Sequence, residues 1–304
     1  MEGKKINEIV VVSGKGGVGK SSITASLGVL FERKGVHVTA VDSDVDAPNL
    51  AIVLGAEISD YTEIEASEKA SIDEQKCTAC GRCVTACKPG ALIAIEKAPT
   101  LIPFLCEGCG VCTIVCPVSA ISIHRRRNGR IGVGETPYGF KLVSGHLDMG
   151  ESSSGHIVTA VKSKGRAVAE DSNSNLLLVD GPPGIGCPVI ASVAGADYAL
   201  IITEPTPAAL KSLDRMAGVL NHFKIPASVV INRFDLEQEY ARKIEDWIEA
   251  KWAMHVAQKV PTDDNVLLSL ARRVPVVEYN PDCDASKAIA SLADQMLDEI
   301  RLGG

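Results

Sequence analysis

Eight of the ten cysteines fall into two identical runs: Cys77, Cys80, Cys83 and Cys87, then Cys106, Cys109, Cys112 and Cys116. Every position of the first run recurs 29 residues later. Many cysteines in a secreted chain serve disulfides, whereas fixed C-x2-C spacing in a cytosolic chain points to metal ligation. The repeat also interrupts a larger unit. Gly14-Lys15-Gly16-Gly17-Val18-Gly19-Lys20-Ser21 precedes it and Asp180-Gly181-Pro182-Pro183-Gly184 follows it, so it lies between what read as two halves of one larger domain.

The 304 residues are 46% hydrophobic, ample for one large core or two smaller ones. A formal charge of -7 argues against sequence-independent binding to nucleic acid, which needs a dense basic face. Only His124-Arg125-Arg126-Arg127 with Arg130 departs from this, as a docking patch for an acidic partner or as a solvated hairpin tip. No 18-residue apolar run is present, and Met1-Glu2-Gly3-Lys4-Lys5 leads straight into a strand pattern. A cytoplasmic protein without a membrane span is expected.

Residues 9–12 form an apolar run ending in the Gly-rich loop, and residues 22–34 have helical spacing with Ile23, Leu27, Leu30 and Phe31 on one face. Residues 37–41, 140–147, 176–179, 198–203 and 228–231 read as further strands; 156–168, 208–223, 238–247 and 285–302 read as helices. Alternating buried strands and helices predict an α/β fold, a mostly parallel sheet with helices on both faces. The polar, acidic stretch 56–72 reads as a linker into the cysteine-rich segment, and Gly-rich 131–137 as the linker out.

Gly14-x4-Gly19-Lys20-Ser21, after a strand and before a helix, has the context a P-loop requires. Backbone N–H groups from Gly14 to Ser22 cradle phosphates, Lys20 reaches the outer ones, and the Ser21 hydroxyl ligates Mg2+. With Lys15, the sequence GKGGVGKS resembles the deviant Walker A motif of the MinD/ParA/nitrogenase iron protein superfamily. The resemblance implies an ATPase that dimerises on binding ATP, with Lys15 crossing to the partner's phosphates. It also implies Asp180 as the Walker B carboxylate and Asp44 as the group that orients or deprotonates the attacking water. The triplet Asp42-x-Asp44-x-Asp46 leaves the register open, and each aspartate alone could cap a helix. Asn232 and Pro261 resemble the adenine contacts of these relatives; ordinary turn residues are the alternative.

The cysteine pattern resembles that of bacterial two-cluster ferredoxins, in which the fourth cysteine of each run binds the other cluster. That resemblance implies one 4Fe-4S cluster on Cys77, Cys80, Cys83 and Cys116 and a second on Cys106, Cys109, Cys112 and Cys87. Gly81 repeating at Gly110, Ala91 at Ala120 and Leu92 at Ile121 agree with a duplicated α+β fold. Cys87-Lys88-Pro89 departs from the pattern, which places Pro directly after Cys as in Cys116-Pro117. Zinc is the alternative, although structural zinc sites pair two C-x2-C hooks and have no use for three cysteines in step. Cys187 is a third metal or redox position or a small apolar residue; Cys283 has a weaker claim. Residues 1–68 and 137–304 are thus expected to form a discontinuous P-loop ATPase domain around an inserted ferredoxin-like domain at 69–136.

Three functions follow from the resemblance, in order of expectation: electron transfer to a protein redox partner, gated by ATP; a carrier or assembly factor delivering iron-sulfur or metal cofactors to a client protein; and a MinD-like spatial organiser. The carriers bridge their cluster through a C-x-x-C pair that the core of this chain lacks. The organisers end in a basic amphipathic anchor, whereas here Asp294, Asp298 and Glu299 stand against Lys287 and Arg301, so no stable membrane anchor is expected.

Overall fold

The protein is described by a computed structural model over residues 6–302 apart from 97, 150 and 152–154. The first half of the large domain contains β1 (Asn7–Ser13), α1 (Lys20–Arg33), β2 (Val38–Asp42), α2 (Leu50–Leu54) and β3 (Glu57–Ile64). The cysteine-rich segment follows with β4 (Ser67–Ile72), α3 (Arg82–Ala86), β5 (Leu92–Ile95), β6 (Ala98–Leu101), α4 (Val111–Ile114) and β7 (Ile121–Arg126). The chain then returns through β8 (Gly129–Glu135), β9 (Lys141–Leu147), α5 (Gly155–Asp171), β10 (Leu176–Pro183) and α6 (Cys187–Val193). It ends with β11 (Tyr198–Thr203), α7 (Pro207–His222), β12 (Ala227–Asn232), α8 (Gln238–Trp252), β13 (Val256–Val260), α9 (Asp264–Ala271), α10 (Val276–Tyr279) and α11 (Asp284–Leu302).

The large sheet runs β13-β12-β11-β1-β10-β2-β9-β8-β3, parallel from β13 to β9 and antiparallel across β8 and β3. Its central strands carry apolar runs such as Ile9 to Val12 and Leu176 to Val179 because both faces are covered. Ile9 and Val11 of β1 pack under α1 and α11, while Val10 and Val12 face α5 to α8. Each such side chain, removed from water, contributes about 1.5–3 kcal/mol.

The two stretches read as linkers are strands. Residues 57–64 form β3 and 129–135 form β8, paired antiparallel at the edge of the large sheet. The exit from the cysteine-rich segment therefore falls before Gly129 rather than at residue 137. Within that segment β4 pairs with β7 and β5 with β6, around a small cluster of Ala70, Cys83, Leu92 and Ile121. The duplication read in the sequence has a geometric counterpart: α3 and α4 start at Gly81 and Gly110, with φ of 72° and 74°.

Candidate nucleotide and cysteine sites

In the sheet β1, β10 and β2 are neighbours, so the loop after β1, Asp180 on β10 and Asp42 on β2 emerge together at the carboxyl ends of parallel strands. That is where open α/β sheets bind ligands. Asp180 is fully buried, and three side chains of α1 converge on it. Lys20 Nζ lies 2.8 Å from Oδ1, Thr24 Oγ1 donates to Oδ1 at 2.9 Å, and Ser21 Oγ donates to Oδ2 at 2.6 Å. Thr24 was missed by sequence reasoning, although its place three residues after Ser21 put it on the same helical face. Ser43 was also missed; its Oγ donates to the Asp180 carbonyl at 2.9 Å.

The three switch aspartates separate by depth. Asp42 is fully buried and accepts from the amides of Leu50 at 2.9 Å and Asp44 at 3.2 Å. Desolvation, aided by the Asp180 charge, pushes its carboxyl up to about 8. Asp46 is exposed. Asp44 lines the cavity beside the glycine-rich loop, where desolvation pushes it up to about 6 while Lys20 pulls it down. At neutral pH it is a carboxylate poised near its titration point.

The cavity holds about 500 Å³ and runs from Gly16, Lys20 and Ser22 at one end to Asn232 and Pro261 at the other. Asn232 also supports the loop, its Nδ2 donating to the Val18 carbonyl at 2.8 Å. Gly14 sits against Ser212, leaving no room for a side chain. Lys15 is turned to an ion pair with Glu204, whose other oxygen is 3.9 Å from Arg233 Nη1. Next to the cavity, Asp263 Oδ1 caps α9 by accepting from Asn265 N at 2.9 Å, and its Oδ2 accepts from Ala285 N at 3.3 Å. Desolvation raises this carboxyl, but the hydrogen bonds from Asn265 and Ala285 outweigh it and hold it at about 2. Because the folded value is depressed, its contribution is present above about pH 4 and is lost as pH falls toward 2. Asp263→Ala is accordingly expected to lower stability by about 1 kcal/mol at pH 7, with a smaller deficit at pH 3, read from urea midpoints.

No disulfide joins any of the ten cysteines. Cys87, Cys106, Cys109 and Cys112 line one small apolar cavity with Leu92 and Leu101. Cys80 and Cys116 line a second, and Cys83, raised chiefly by desolvation, also feels Cys77 and Cys80. Backbone amides aim at two of the sulfurs: Ala70 N donates to Cys106 Sγ at 3.5 Å and Ala120 N to Cys116 Sγ at 3.2 Å. The amides around Cys116, Ala120 first, hold its thiol below the usual range. Such hydrogen bonds suit thiolate ligands. Among the described residues no three His, Cys, Asp or Glu side chains are grouped to hold a single metal ion.

Cys187 is exposed at the start of α6, and buried Cys283 lies 3.2 Å from Ser286 Oγ. Part of the basic patch is engaged within the molecule. Arg127 pairs with Glu63 and with Asp148 at 3.1 Å, and Arg130 lies 4.4 Å over the Tyr61 ring, leaving Arg125 and Arg126 exposed. Among the described residues no helix is long and apolar enough to cross a membrane.

A glycine-rich loop between a parallel strand and a helix, with lysine and hydroxyl gathered on a carboxylate at the next strand's end, defines a P-loop nucleotide-binding protein. The CobQ/CobB/MinD/ParA nucleotide-binding domain matches residues 9–276, and the chain belongs to that family. An uncharacterized protein of Methanocaldococcus jannaschii is 31% identical over 97% of both chains. The septum site-determining protein MinD of Thermotoga maritima is 26% identical over 96% of this chain and 89% of its own. Among solved structures, MinD of Pyrococcus horikoshii complexed with Mg-ADP superposes with a TM-score of 0.60 at 18% identity, covering 99% of each chain. That likeness establishes a shared fold.

Proposed function

We propose that the chain is a MinD-like, ATP-hydrolysing switch that works as a homodimer. The observation that carries it is the gathering of Lys20, Ser21 and Thr24 on Asp180 beside a cavity ending at Asn232 and Pro261. Lys20 and the loop amides would hold the phosphates; Ser21, with Asp180 behind it, offers the hydroxyl and carboxylate that a hydrated Mg2+ prefers. Lys15 exchanges Glu204 for the partner's phosphates, and Asp44 positions water. The likeness to septum site-determining proteins favours a switch acting on a protein partner or on cell position over electron transfer.

Redox coupling is the second reading, supported by the four cysteines around one apolar cavity. In it, the segment from β4 to β7 is an inserted ferredoxin-like unit in which Cys87, Cys106, Cys109 and Cys112 would hold one 4Fe-4S cluster, and Cys77, Cys80, Cys83 and Cys116 another. Such clusters supply one-electron transfer. Leu92 and Leu101 shield one face of the cavity while Cys80 and Cys109 stay exposed to a partner, and nucleotide state governs engagement of that redox partner. Anaerobic preparation tests both readings. Dimerisation with ATP but not ADP, by light scattering, is the expected outcome for the switch; a monomer that hydrolyses ATP at full rate would sink it. About eight iron atoms per chain, retained through turnover, are expected on the redox reading. Iron-free protein refutes that reading, iron passed to an apo-acceptor indicates a carrier, and ATP-dependent flotation with liposomes indicates a spatial organiser.

A further inference from the structure

Leu147 at the end of β9, with Asp148 and Glu151 beyond it, meets three separate parts of the molecule. Leu147 N donates to the carbonyl of Val45 at 3.0 Å, directly after Asp44. Asp148 N donates to Asn128 O at 2.9 Å, and its carboxylate accepts from Arg127 Nε at 3.1 Å, where the chain returns from the cysteine-rich segment to the large sheet. Glu151 N donates back to Asp148 O at 3.1 Å, and its carboxylate lies 3.1 Å from Lys69 Nζ. Lys69, on β4, is only 4% exposed, and its Nζ also donates to the Cys106 carbonyl at 3.0 Å. Farther along, Gly155 opens α5 so close to α6 that a Cβ there would stand 3.2 Å from the Cys187 carbonyl. Contacts with both loops flanking the nucleotide cavity therefore lie on either side of Glu151.

A buried lysine needs a countercharge, because an unpaired ammonium in low dielectric is strongly disfavoured. The ion pair with Glu151 meets that need from outside the cysteine-rich segment. We propose that Lys69 and Glu151 are a positioning pair through which the nucleotide site acts on the second cysteine run at Cys106. This rests on the reading that nucleotide state governs the segment. When Val45 and the start of α6 shift with nucleotide, Leu147, Asp148 and Glu151 follow; Glu151 then withdraws or tightens its charge on Lys69. The hydrogen bond on the Cys106 carbonyl and the field at its sulfur change with it. Spatial continuity becomes coupling only if both ends bias the same contact.

The test compares anaerobically prepared full-length wild type, Glu151→Gln and Lys69→Met, with ADP and with a non-hydrolysable ATP analogue. Hydrogen exchange of the amides from residue 106 to 111 is one readout, and the paramagnetic resonance spectrum of the reduced protein is the other. In the wild type both are expected to differ between nucleotides; in both variants the difference is expected to vanish while ATP hydrolysis stays at the wild-type rate. A difference that persists in Glu151→Gln, or its absence from the wild type, overturns the pair's role. An exchange difference lost in Glu151→Gln in protein that carries no iron supports the pair and overturns the cluster reading, so the two failures are distinguishable.

Discussion

Lys20→Ala is expected to abolish nucleotide binding and to lower ATP hydrolysis by about 10²–10³-fold or more, the loss typical of removing one group that stabilises transition-state charge. Lys20 is only 7% exposed and sits 2.8 Å from Asp180, on the first turn of α1. On the proposed reading its charge stands at the helix N-terminus, where phosphates would meet the loop amides, and turns from Asp180 to them. Lys15→Ala should differ in kind. Lys15 lies in an ion pair with Glu204 and is 39% exposed, turned away from the cavity, so on the proposed reading it is not expected to hold nucleotide in the isolated subunit. Calorimetric affinity for ATP is therefore expected to survive in Lys15→Ala while turnover falls. Equal loss of binding in both variants would refute action across the dimer, and phosphate release by Lys20→Ala at the wild-type rate would refute the site.

The parts legible in the sequence were those fixed by local order. The run from Leu176 to Val179 is apolar throughout because both its faces are buried, and the phosphate loop announces itself by strand, glycines and helix within a short span. The edge of the sheet was not legible. Strand β3 is polar because nearly every side chain is at least partly exposed, so neither alternation nor an apolar run marks it. Its partner β8 is Gly-rich for a related reason: a Cβ on Gly132 would lie 2.1 Å from Ile58, so the close approach of β3 selects glycine where composition suggests a linker. The aspartate triplet failed differently. Asp42, Asp44 and Asp46 keep strand parity, but β2 ends at Asp42, and only the tertiary path of the next residues sends Asp44 to the cavity and Asp46 to solvent. Partners distant in the chain, such as Lys15 with Glu204, leave no local pattern.

The same blindness applies to the buried charges of Glu8 and Lys162, where the largest loss of stability is expected. Lys162 Nζ lies 2.6 Å from Glu8 Oε1 and donates to the carbonyls of Ser192 at 2.6 Å and Ala194 at 2.9 Å. Arg166 donates to Glu8 Oε2 through Nε at 3.0 Å and Nη2 at 2.6 Å. The side chains of Glu8 and Lys162 are 5% and 2% exposed, so the pair ties β1 to α5 and the end of α6 with almost no access to water. Glu8→Ala leaves the ammonium among carbonyl dipoles alone, and the expected loss is about 3–5 kcal/mol in urea unfolding. Desolvation already holds Lys162 below its ordinary value, opposed by Glu8, and the variant removes that opposition. A folded-state value depressed further means that the folded protein binds fewer protons than the unfolded chain across alkaline pH. The variant's deficit should therefore shrink as pH rises toward the unfolded lysine value of 10.5, where both states approach neutrality. Replacing both partners, Glu8→Leu with Lys162→Met, should recover most of the loss, since apolar side chains of similar volume carry no desolvation penalty. A Glu8→Ala protein within about 0.5 kcal/mol of wild type at pH 7 would show that the ammonium finds water or another partner on relaxation, and that the carboxylate is not what holds α5 against the sheet.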